Sequence, residues 1–195
     1  MLCSIEMMPA FVAESRPDRL FLAALPGARE AERIAALAGR LKRARRLEGR
    51  LIRREHLHVT LLYLGSWHGL PQGIVARARA AAAAVKVPPF AVAFDRTASF
   101  HGRTAQHPFV LLGGDGVGAL KAFRAGLGAA MAKAGLGPRV PGAYTPHVTL
   151  LYDACFVEEA PIEPIAWTVG EFVLVHSLYG RSRHIPLARW PLRAD

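Results

Sequence analysis

Three features of the sequence predict an α+β fold. It has two pseudo-symmetric lobes, each an antiparallel sheet with packed helices, and an active-site groove between them. The hexapeptide His58-Val59-Thr60-Leu61-Leu62-Tyr63 returns unchanged as His147-Val148-Thr149-Leu150-Leu151-Tyr152. Each copy closes a strand–helix–strand pattern in its own half of the chain. The C-terminal stretch reads as long strands joined by the turn Gly180-Arg181-Ser182-Arg183, which suits antiparallel pairing.

The elements follow in order. Residues 1–18 read as an N-terminal tail, and residues 19–195 as a single domain of duplicated half-units. Leu20 to Leu25 is a strand, punctuated by Pro26-Gly27. From Ala28 to about Leu47 the apolar positions Ala31, Ile34, Leu37, Ala38 and Leu41 keep helical spacing, so this helix is expected on the first lobe's sheet. The first motif is the next strand, and Gly65 to Gly73 a turn-rich loop. Ile74 to Val85 is an alanine-rich helix closed by Pro88-Pro89. Phe90 to Phe94 and Phe109 to Leu112 are strands on either side of the polar loop Ser99 to His107.

Gly113 to Gly118 turns into a helix running to about Ala134. Its Gly114-x-Gly116-x-x-Ala119 imitates a dinucleotide-binding turn, but no acidic ribose partner follows about 20 residues on. A Gly/Pro-rich loop leads into the second motif. An acidic, proline-broken loop follows (Glu158, Glu159, Pro161, Glu163, Pro164), then one long strand from Trp167 to Leu178 and a last one from His184 to Trp190. The chain crosses between lobes near residues 86 to 108.

The motif carries the chemistry. Residues two apart on a strand share a face. His58 with Thr60, and His147 with Thr149, therefore face one way, while Val59, Leu61, Tyr63 and their counterparts face a core. A pseudo-twofold then brings both polar pairs to one groove. Two imidazoles facing one substrate suit general acid–base catalysis, since both titrate near working pH. Threonine hydroxyls and backbone N–H groups suit phosphate oxygens that gather charge. Phosphoester cleavage fits these parts, and they require neither metal nor cofactor. Arg103, central in its polar loop, is a candidate phosphate ligand because guanidinium matches phosphate geometry. Tyr144, Trp67 and His56 are candidate cleft-lining residues. His101, His107, His176 and His184 have no motif context and read as ordinary surface or half-buried residues.

At these residues the chain resembles the two-histidine phosphoesterase superfamily, and more closely the 2',5' RNA ligase-like proteins, or RNA 2',3'-cyclic phosphodiesterases. The resemblance runs from Arg19 onward through Glu55-His56-Leu57-His58-Val59-Thr60-Leu61, Pro146-His147-Val148-Thr149-Leu150 and the closing Phe172 to Leu178. It implies hydrolysis of 2',3'-cyclic phosphate ends to a 2'-phosphomonoester without metal or ATP, with weak reversible 2',5' ligation. It also implies that His58 protonates the leaving oxygen, that His147 activates water, and that Thr60 and Thr149 hold phosphate oxygens. Relatives often carry an arginine shortly after a motif; Leu62 and Tyr152 stand at those places here.

Apolar residues make up 52% of the chain, which excludes wholesale disorder, and no apolar run approaches a membrane span. The formal charge of +10 favours polyanionic partners. RNA ends or a cyclic nucleotide-like small molecule are the partners the resemblance implies. Its densest patch, Arg40, Lys42, Arg43, Arg45, Arg46, Arg50, Arg53 and Arg54, ends just before the first motif. Cys3 and Cys155 give no disulfide framework, so the reducing cytoplasm is expected. A monomer is a separate expectation. Two other readings stay open. One is a non-catalytic RNA-binding module on the same fold. The other is a metallohydrolase using His56, His58, His147 and Asp153.

Overall fold

The computed structural model describes residues 17–101, 105–137, 144–178 and 180–194. The expected tail up to Arg16, with Cys3, and the candidate Arg103 lie outside the described residues. The element order is β1 (Asp18–Ala24), α1 (Ala28–Ala44), β2 (Val59–Trp67), α2 (Gln72–Ala83), β3 (Phe90–Ser99), β4 (His107–Leu112), α3 (Gly118–Lys133), β5 (His147–Asp153), β6 (Ala160–Val169), β7 (Glu171–Leu178) and β8 (Arg183–Pro191). Among the described residues no helix is long and apolar enough to cross a membrane.

The α+β class stands. The two expected sheets are halves of one eight-stranded sheet in the order β6-β3-β4-β5-β2-β1-β7-β8. Every paired neighbour is antiparallel. The halves meet at one residue pair, Val59 with Val148, at the centre of the two motifs. The duplicated unit is strand–helix–strand, β1-α1-β2 in one half and β4-α3-β5 in the other.

All three helices lie on one face of the sheet. Ala31, Ile34 and Ala38 of α1, Val75, Ala78 and Ala82 of α2, and Leu120, Phe123, Leu127 and Met131 of α3 share one buried cluster. Leu22, Leu61, Phe94, Phe109, Leu150 and Phe172 belong to the same cluster. Full burial of each such Leu or Phe contributes roughly 1.5–3 kcal/mol, so most of the stability lies on this face. Among the described residues the opposite face carries two small apolar clusters. Phe21, Ala23, Val173 and Val175 form one, and Ala98, Val110 and Leu112 the other, one on each side of the seam.

Four expectations need correction. Helix α1 does not cover its own half: it packs on β5 and β6 across the seam. Its return path explains this, because the segment after it runs back along β5, with Leu51 bridged to Leu151 and the Ile52 N–H donating to the Leu150 carbonyl at 2.7 Å. Strand β2 continues through Gly65 to Trp67, where a loop is expected from the glycine; paired to β1, the glycine is absorbed at a register shift. The proline-broken stretch belongs to strand β6, which tolerates Pro161 and Pro164 because it is the sheet edge. The long strand from Trp167 to Leu178 is two strands parted at Gly170, with β6 and β7 in opposite halves of the sheet. A second crossover therefore follows the expected one, and the first half is completed by β7 and β8 from the C-terminus.

Candidate active site

The site is built on the seam. In the antiparallel pair of Val59 with Val148, both valines are fully buried on the helix face. Their neighbours therefore emerge on the open face, His58 across from Thr149 and Thr60 across from His147. The two histidines occupy a ladder diagonal, which spans roughly 7–8 Å. All four line one cleft of about 660 Å³, together with Arg19, Phe21, Ile52, His56, Tyr63, Ser66, Tyr152, Ser177, Leu178, Gly180, Ser182, Arg183 and His184.

Both imidazoles are fixed in the same way. His58 Nδ1 lies 2.7 Å from the carbonyl of His56, and His147 Nδ1 lies 2.8 Å from the carbonyl of Thr145. A carbonyl only accepts, so each Nδ1 carries the proton and each Nε2 is left as the working atom. Phe21 stacks on His58 with centroids 4.9 Å apart, and Phe100 meets His147 edge-on at 4.9 Å. Burial pushes both histidines below the ordinary imidazole pKa. For His58 the charges of His147 and His56 add to that effect, against its backbone hydrogen bond. Neither threonine hydroxyl has a hydrogen-bond partner among the described residues, so both are open to a ligand.

The other candidates divide. His56 lines the cleft, though from a 3₁₀ turn rather than from the strand itself. Trp67 packs on the core edge and is not among the cleft-lining residues. Tyr144 also lies off the cleft. Its hydroxyl donates to the Thr60 carbonyl at 3.0 Å while Arg124 sits 4.5 Å over its ring, and burial pushes its pKa up to about 12. It thus supports the backbone of β2 where that strand parts from β5. Asp153 accepts from the N–H groups of Gly49 and Cys155 at 2.6 and 2.8 Å. That carboxylate holds loops together, and the set His56, His58, His147 and Asp153 is not assembled: among the described residues no three His, Cys, Asp or Glu side chains could jointly hold a metal ion.

Three residues escaped the sequence reading. His184 stacks on His56 at 4.3 Å and meets His58 edge-on at 5.4 Å, and burial together with its histidine neighbours pushes its pKa down to about 4. No motif marks it; β8 delivers it. Tyr63 and Tyr152, expected in the core, are 51% and 45% exposed and line the cleft. A β-bulge in each motif strand causes this. The register skips Leu61 between Leu22–Leu62 and Ala23–Thr60, and skips Leu150 between Phe109–Leu151 and Val110–Thr149. One extra residue reverses the alternation beyond it.

Fold and cleft together define a two-histidine phosphoesterase architecture. The chain belongs to the 2'-5' RNA ligase superfamily, whose model matches residues 31–181. A crystal structure of a phosphoesterase is 27% identical, covers 91% of this chain and 99% of its own, and superposes with a TM-score of 0.71. E. coli LigT in its apo form is 26% identical over 92% of this chain and 99% of its own, with a TM-score of 0.69. TT0787 of Thermus thermophilus, at 20% identity over 91% of this chain and 99% of its own, shares the fold with a TM-score of 0.71. No curated protein gives a match.

Proposed function

We propose that the protein is a phosphodiesterase that opens 2',3'-cyclic phosphate ends of RNA, or a related small cyclic phosphodiester, to a 2'-phosphomonoester, with weak reversible 2',5' ligation when a 5'-hydroxyl takes the place of water. One observation carries this reading: two imidazoles with the same backbone anchor turn free Nε2 atoms toward one cleft, each beside an open threonine hydroxyl. His147 Nε2 takes a proton from water as its oxygen bonds to phosphorus. The bond from phosphorus to the 3' oxygen breaks, and His58 Nε2–H gives that oxygen its proton. Thr60 and Thr149 donate to the non-bridging oxygens as charge builds there.

The environments support this division of labour. Burial lowers the pKa of both rings, and for His58 the interactions with His147 and His56 act in the same direction, which suits a group that gives up its proton. In the free protein both rings are held toward neutral, and an arriving phosphate anion favours protonation of the pair. The basic run from Arg40 to Arg54 leads up to His56 at the cleft, which suits an anionic chain. E. coli LigT has been crystallised with ATP, with 3'-AMP and with NADP+, which supports a nucleotide-type ligand here.

The test is an oligonucleotide ending in 2',3'-cyclic phosphate, incubated with the protein in EDTA. A 2'-phosphomonoester is expected. Absence of turnover across a panel of cyclic and linear phosphodiesters overturns the reading.

A further inference from the structure

Tyr63 and Tyr152 have a geometry that the acid–base mechanism does not use. Among the described residues they are the exposed large hydrophobic side chains, and both line the catalytic cleft. Both stand five positions after a motif histidine, and each is turned out of the core by its own bulge, at Leu61 and at Leu150. Without those bulges each ring would share the face of its strand's buried leucine. Two separate irregularities with the same result make the exposure a built feature.

Their placement follows from the strands. β2 and β5 run antiparallel from the Val59–Val148 pair, so the tyrosines leave the histidine–threonine set in opposite directions. Each is three ladder steps away after its bulge, about 10 Å at strand rise. The Tyr63 ring is tied through its hydroxyl, which hydrogen-bonds to Ser66 Oγ; for Tyr152 it is the backbone that is fixed, its carbonyl lying against Gly49 where a Cβ would clash. A planar, amphipathic ring at each end of a phosphate site, with the acid and base between, matches one ligand shape: a phosphodiester with a flat base on each side.

We propose that Tyr63 and Tyr152 are two base-stacking platforms, and that the unit the cleft recognises is a dinucleoside monophosphate with one nucleoside on either side of the reacting phosphorus. This rests on the phosphodiesterase reading and deepens it. A cyclic phosphate end fills one platform with its terminal base. The second receives the base of the nucleoside whose hydroxyl replaces water in the ligation: its oxygen bonds to phosphorus, its proton goes to His147, and the 3' oxygen of the cyclic ester leaves with the proton from His58.

The experiment is a mutant cycle with 2',5'-linked diadenosine monophosphate and its two forms lacking one base. In the wild type, removing either base raises KM by about 5- to 160-fold, the range of base–aromatic stacking. In Tyr63→Ala removal of one of the two bases has no further effect, and in Tyr152→Ala the same holds for the other base. Tyr→Phe at either position keeps the wild-type pattern, and Tyr→Leu, which keeps bulk without a π face, behaves as Ala and serves if the Ala variant fails to fold. Base-removal penalties that persist unchanged in both variants, or no penalty in the wild type, overturn the proposal. The same cycle is read as equilibrium affinity by calorimetry. It therefore stands or falls even if no diester is turned over, the outcome that would sink the phosphodiesterase reading alone, and absence of binding overturns it.

Discussion

The two motif strands carry identical hexapeptides in unlike surroundings. Their local structure is the same: the Nδ1 anchor two residues back, the bulge at the following leucine, the exposed tyrosine. Around His58, however, Phe21 stacks flat and His184 presses in from β8, with His56 beyond it. Around His147, Phe100 offers only its edge. Local sequence sets how each imidazole is anchored, and the strands brought beside it set what each ring packs against. A pair identical in sequence thereby acquires unlike surroundings, as the proposed acid and base would require.

The most drastic way to break this comparison is to delete each histidine in turn. His58→Ala and His147→Ala are each expected to lower kcat by about 10²- to 10⁴-fold with the fold intact by circular dichroism. The double variant falls well short of the product of the two losses, because the residues act as a unit. A variant retaining wild-type kcat refutes the pairing.

Gly49 probes the second strand alone. A Cβ there would sit against the carbonyl of Tyr152 and close to the Asp153 carboxylate, so the segment that covers β5 must shift. Gly49→Ala is expected to destabilise by about 2–3 kcal/mol in urea unfolding, by overpacking against backbone. A cost near zero would mean that this segment does not hold β5.

The pH profile sharpens the asymmetry. Burial pushes both proposed catalytic histidines below the ordinary imidazole value of 6.5 in the free protein, so the bell in kcat/KM should centre on the acid side of that value. The kcat bell reports the complex, where phosphate favours the protonated forms, and should lie at higher pH. Coincident bells centred above 6.5 contradict the burial argument.

His184 gives the smallest effect. Its folded pKa of about 4 is below the unfolded value near 6.5, so the unfolded chain binds the extra proton between them. Its contribution is present above 6.5 and is lost as pH falls toward 4. His184→Phe keeps a ring against His56 and cannot protonate. Its stability should fall less steeply over that window, by on the order of 1–2 kcal/mol after allowing for solvent screening. Parallel pH–stability curves would place His184 outside the proton balance.

The sequence by itself determined the parts that local pattern encodes. The repeat marked both histidine–threonine pairs of the cleft, alternation put each histidine and its threonine on one face, and apolar spacing, alanine-rich composition and Gly-rich turns located the three helices within a few residues. Period and repetition are properties of short stretches, and they survive in any packing. Tertiary structure decided everything that depends on which strand becomes a neighbour. The run from Trp167 to Leu178 reads as continuous, yet Gly170 sends its two parts to opposite halves of the sheet. Tyr63 and Tyr152 alternate inward on paper and emerge into the cleft because pairing with β1 and β4 takes up one residue as a bulge. His184, with no local signature, reaches the site only because β8 closes the first half. A bulge, a crossover and a ring delivered from a distant strand are contests between long-range pairings, and no window of adjacent residues contains both competitors.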